Sequence, residues 1–104
     1  VSNGSDCPVE APDVPAGIQC AVTRQDLHGC APYLPQEAFD LKEALDSFTQ
    51  AGAFASFEEH TKGRITPGHR ADFVVLGEDP FQTAPAKIKD IPILQTWLEG
   101  ERVW

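Results

Sequence analysis

The clearest pattern of apolar and polar positions lies in the middle of the chain. Leu41, Ala44, Leu45 and Phe48 fall at i, i+3, i+4 and i+7, with Lys42, Glu43, Asp46 and Gln50 on the other side, which predicts a helix with one apolar face. Asp40 precedes Glu43 by three residues, an Asp form of the capping box, so the helix is expected to start there. Upstream, Ile18, Ala21 and Val22 are three and four apart and predict a shorter helix over Ala16 to Thr23. Gly52 weakens continuity after Phe48, and Ala51, Ala53, Phe54, Ala55 and Phe57 predict a second short helix of small residues packed closely on the first.

The period changes after Lys62. Pro67-Gly68 sets φ at one central position of a turn and tolerates positive φ at the next, as a type II turn requires. Phe73 to Leu76 is a short apolar run bounded by Gly77 and Asp79-Pro80, and reads as a strand covered on both faces. Ala84 to Asp90 can make one helical turn, ended by Pro92. Ile93 to Leu98 and Arg102 to Trp104 then bracket Glu99-Gly100-Glu101 as a β-hairpin. The remaining stretches are Val1 to Asp6, short and polar; Cys7 to Pro15, with three prolines; and Arg24 to Phe39, a long surface connection broken by Gly29, Pro32 and Pro35. Helices first and a small β unit last predict an α+β domain.

Composition narrows the class. At 104 residues the chain has room for one small core. No apolar run approaches the length that spans a bilayer. A net charge of −8 with eight scattered basic residues lacks the positive footprint of a nucleic-acid or anionic-membrane binder, so neither partner is expected. Three cysteines, Cys7, Cys20 and Cys30, are too few for a disulfide framework and no secretory signal precedes them, which predicts a cytoplasmic location. The chain begins at Val1 and contains no methionine, so it is expected to be a piece of something longer.

Candidate chemistry is sparse. Asp6, in Gly4-Ser5-Asp6, is a carboxylate at the end of a potential strand, and spacing alone reads it as a turn-capping or solvated aspartate. His28 and Cys30, with Cys7 and Cys20, lack the paired spacing of a zinc site. His60 and His69 read as surface histidines without a nucleophile beside them. Glu58-Glu59 and Glu99/Glu101 read as hydrated loop carboxylates rather than a glycosidase pair. Phe48, Phe54, Phe57 and Trp97 read as core.

Several segments in order carry a more specific signal: Gly4-Ser5-Asp6-Cys7-Pro8-Val9, Gly17 to Arg24, Leu41 to Leu45, Ala51 to Ala55, Lys62 to Ile65, Pro67-Gly68 and Ala71 to Leu76. Together they resemble the carboxy-terminal end of metal-dependent amidohydrolases, in the YtcJ-like, N-substituted formamide deformylase-like branch. The resemblance implies a (β/α)₈ barrel with its metal site at the carboxyl ends of the strands, beside a small β-sandwich built from both chain ends. Residues 1–60 would then be the end of the barrel, with Val1 to Ser5 the last strand, and 61–104 the carboxy-terminal share of the sandwich. The resemblance makes Asp6 both the catalytic and the metal-binding residue, a ligand that takes a proton from the metal-bound water and passes it to the leaving amine.

The same resemblance places the paired histidines, the bridging ligand and two further histidines upstream of Val1. A divalent metal, with zinc the expected one, is therefore implied for the parent enzyme and none for this chain, which is expected to be inactive alone. The parent's substrate would be a small molecule with an amide, formamide or cyclic amide C–N bond. The alternative is a non-catalytic binding or scaffold module that keeps the shape of such a tail. Helices cut from a barrel would expose apolar faces, which predicts a homo-oligomer or a segment-exchanged dimer.

Overall fold

The structure is a computed structural model and describes residues 1–104. Helix α1 spans Val14–Thr23, α2 spans Leu41–Phe48 and α3 spans Gln50–Ala55, and the strands are β1, Phe73–Leu76, β2, Ile93–Leu98, and β3, Glu101–Arg102. The architecture is a small α+β domain with a three-stranded antiparallel sheet in the order β1-β2-β3.

Local chemistry explains the boundaries. Asp13 caps α1, its side chain accepting from the Ala16 amide, and Pro15 sits in the first turn where a missing N–H costs nothing. This start is two residues earlier than the apolar spacing predicts, because capping outweighs the period at a helix end. The box at α2 is complete: Asp40 Oδ1 accepts from the Glu43 amide at 2.8 Å, and Glu43 Oε2 accepts from the Asp40 amide at 2.9 Å. Between α1 and α2 the long connection carries only one 3₁₀ turn, at Pro35–Glu37.

The turn at Pro67-Gly68 forms as predicted. The His69 amide donates to the Thr66 carbonyl at 3.1 Å, and Gly68 takes φ +90°, the value that the third residue of a type II turn requires. The hairpin is tighter than the sequence pattern suggests. Trp97 pairs with Arg102 and Leu98 with Glu101, leaving Glu99 and Gly100 as a two-residue loop with φ of 50° and 81°. Asp72 fixes this loop to β1 by accepting from the Glu99 amide at 2.8 Å. Phe73 and Trp97, cross-strand partners, stack at 5.5 Å.

Two expectations fail. The β1 strand is not covered on both faces: it is an edge strand, paired only with β2, and Val74 is 49 % exposed. Phe54 and Phe57 are not core. Phe57 is 91 % exposed because α3 ends at Ala55 and the chain turns through positive φ at Phe57, carrying the ring away from α2.

The core lies between the helices and the loop before β2. Ile18 from α1, Ala44 from α2, and Ile88 and Ile91 from the 3₁₀ turn Pro85–Asp90 and its end form it, with Phe48 and Leu76 packed alongside. Only eight residues of 104 are buried, so each of these isoleucines carries a large share of the apolar burial. Gly17 lets α1 approach α2 closely, since a Cβ there would stand 2.9 Å from the Phe48 ring. The seam is closed by a buried polar contact, in which Gln19 Oε1 accepts from the Lys89 amide at 2.8 Å.

Candidate functional site

Residues 1–5, a barrel strand by resemblance, make no strand pairing within this chain. A parallel strand needs neighbours on its hydrogen-bonding edges, and the sheet of this chain is formed elsewhere. Instead the segment runs past the carboxy-terminal end of α2. The Asn3 amide donates to the Ser47 carbonyl at 3.0 Å, and Asn3 Nδ2 donates to Ser47 Oγ at 2.9 Å. Asp6 follows three residues later on a turn, with φ +55°, a left-handed value that aspartate tolerates better than most residues. Its carbonyl accepts from the Val9 amide at 2.8 Å, and its side chain is exposed.

The other candidates form no group of three or more potential metal ligands with Asp6. His69 is held structurally, with Nδ1 3.0 Å from Thr66 Oγ1 and Nε2 3.1 Å from the Glu59 carbonyl. His60 lies 3.8 Å from Glu59 Oε1, while Glu59 Oε2 is buried without a hydrogen-bond partner. Glu58 pairs with Lys62 and accepts from Ser56, which together hold its carboxyl below the usual range. No group of three or more His, Cys, Asp or Glu side chains is placed to hold a metal ion. A divalent metal therefore does not fit the residues of this chain taken alone.

A further polar cluster, around Asp26, is one that spacing did not single out. Asp26 Oδ1 accepts from the His28 amide at 2.9 Å and the Cys30 amide at 3.2 Å, closing the loop after α1. The Cys30 amide, then the His28 amide, hold this carboxyl below its ordinary value. Burial pushes the nearby Cys20 thiol up, and the Asp26 charge adds to that. Asn3 and Ser47 were also missed. Ser47 was legible in principle, as a polar residue three positions after Ala44 on the buried side of α2.

These observations define an α+β chain in which Asp6 lies exposed on a turn, with no group of three or more potential metal ligands. The comparison with known families is direct: the family model described as the amidohydrolase family matches residues 1–104, and the chain belongs to that family. Among curated relatives, the chain is similar to the YtcJ protein of Bacillus subtilis (strain 168), named as an amidohydrolase, at 35 % identity over 99 % of this chain and 20 % of the relative. It is 34 % identical to N-substituted formamide deformylase of Arthrobacter pascens over 96 % of this chain and 18 % of the relative. It is 30 % identical to the protein LONG AFTER FAR-RED 3 of Arabidopsis thaliana over 97 % of this chain and 17 % of the relative. The chain thus spans about a fifth of the length of these relatives. No solved structure matches it. No helix is long and apolar enough to cross a membrane.

Proposed function

We propose that this chain is the carboxy-terminal part of a metal-dependent hydrolase acting on non-peptide C–N bonds of amides, formamides or cyclic amides, and that it is inactive by itself. In this reading residues 1–60 close the barrel, residues 61–104 contribute to a small β-sandwich, and Asp6 is the carboxylate at the end of the last barrel strand. The observation that carries it is the match of residues 1–104 to the amidohydrolase family in a chain a fifth as long as its relatives. The name of the Arthrobacter relative supports the bond class. The lone, exposed Asp6 supports the division of labour: one carboxylate comes from this chain, and the residues that would complete a zinc site come from the rest of the protein.

The test is a chimera in which these 104 residues replace the matching segment of the Arthrobacter deformylase. The zinc-loaded chimera should hydrolyse an N-substituted formamide, Asp6→Asn should lower kcat/KM about 10³-fold, and the 104-residue chain with zinc should show no turnover. Turnover by the isolated chain, or an active chimera indifferent to Asp6→Asn, defeats the proposal. A folded, zinc-loaded chimera without turnover favours a binding or scaffold module.

A further inference from the structure

We propose that Asn3 and Ser47 form a clamp that positions the Asp6 carboxylate, an inference that rests on the function proposed above. Residues 1–6 have two hydrogen bonds to the body of the chain, and both run from Asn3 to Ser47, one backbone to backbone and one side chain to side chain. Ser47 is 3 % exposed and sits one turn after Ala44, the most buried residue of the molecule. Its hydroxyl donates to the Ala44 carbonyl at 2.6 Å, which spends its single proton and leaves its lone pairs to receive Asn3 Nδ2. The Ser47 hydroxyl is thus satisfied as donor and acceptor and is anchored to the most buried turn of α2.

Val1 and Ser2 also lie beside α3, lining a cavity with Gln50, Ala51 and Phe54, so Asn3 is the hydrogen-bonded tie nearest Asp6 on its amino-terminal side. On the α1 side of the segment lies a cavity of about 280 Å³, lined by Asn3, Gly4, Gly17, Cys20 and Phe48 among others. Asp6 lies three residues beyond the clamp, a reach of up to about 10 Å along extended chain, and it faces solvent. On its amino-terminal side this carboxylate is held by one side-chain pair plus one backbone bond, and on the other side by the turn to Val9 and the cap of α1 at Asp13.

A side-chain tie that only stabilised the fold would behave like any other buried hydrogen bond. A positioning tie acts on kcat, because a displacement of about 1 Å at a reacting group costs on the order of 100-fold. In the 104-residue chain, Ser47→Ala and Asn3→Ala should each speed hydrogen exchange at the amides of residues 3–6 about tenfold while α2 keeps its protection. In the chimera, where neighbouring barrel strands would share the restraint of residues 1–5, each should still lower kcat about 10-fold with KM within about twofold. The double variant should lose little more than either single, since both remove the same bond. Gln19→Leu, which breaks the remote contact to the Lys89 amide, should weaken the fold and leave kcat unchanged.

Unchanged exchange at residues 3–6, additive losses, or an unchanged kcat in a chimera that Asp6→Asn does disable would each overturn the clamp while leaving the proposed function standing. An active chimera in which Asp6→Asn is silent would instead overturn the function, and the positioning role with it.

Discussion

The seam between α1, α2 and residues 85–91 and the segment from Val1 to Asp13 are built on opposite principles. The seam buries Ile18, Ala44, Ile88 and Ile91 and is tied across by the polar contact of Gln19 to the Lys89 amide. The segment keeps nearly every residue exposed and, up to Asp6, is hydrogen-bonded to the body through Asn3 alone. Stability and candidate chemistry are thereby separated in space. The Asp6 side chain is exposed and outside the apolar cluster, so its removal is expected to leave that cluster intact. Such a separation agrees with the proposed function, in which other parts of a protein complete the site at Asp6.

The comparison breaks most readily at Ile88, which is 3 % exposed at the centre of the seam. Ile88→Ala removes buried methylene and methyl groups from a core too small to close around the gap, and should cost about 2–5 kcal/mol in urea unfolding. Exchange at residues 3–6 in the folded fraction should stay at the wild-type level. A loss under about 1 kcal/mol would mean that the seam does not hold the fold.

Gln19→Leu sharpens the same contrast with a smaller effect. It keeps the apolar volume but leaves the Lys89 amide without its acceptor, at a cost of about 1–3 kcal/mol. An unchanged unfolding midpoint would show that water replaces the glutamine.

Asp40→Ala comes next, because it removes the cap of α2 without touching the seam. The loss should be about 1 kcal/mol, since Asp40 Oδ1 satisfies one amide and positions Glu43 to satisfy another. Asp40→Asn should recover most of it.

How much of this was legible in the sequence follows from the range of the interactions. Capping at Asp40, the stripe of α2, the type II turn at Pro67-Gly68 and the existence of β1 are decided within a few residues, and all four form. The exposure of β1 and of Phe57 is decided by what packs on them from far along the chain, which local spacing does not encode. Asn3 and Ser47 are 44 residues apart, and Gln19 and Lys89 are 70 apart, so neither pair carries a motif. Asp6 stood out through family resemblance alone. In this chain it lies on an exposed turn and in no group of three or more potential metal ligands, surroundings that no local motif encodes.

The smallest expected effect concerns the loop after α1, which resembles the Asp6 segment in exposure but not in restraint. Asp26 accepts from the His28 and Cys30 amides, and both bonds favour its charged form. A carboxyl lowered in the folded state contributes stability that is fully present above its unfolded value and is lost as pH falls through the folded one. The unfolded value is near 4, so the loop should be unaffected from neutral pH to about pH 5. It should loosen only in more acid solution, with faster exchange at the amides of His28 and Cys30. Asp26→Asn should remove that acid dependence, whereas residues 3–6, whose tie uses no ionisable group, should show no such acid step. Acid loosening confined to residues 3–6, with the Asp26 loop unmoved, would reverse the contrast between the two segments.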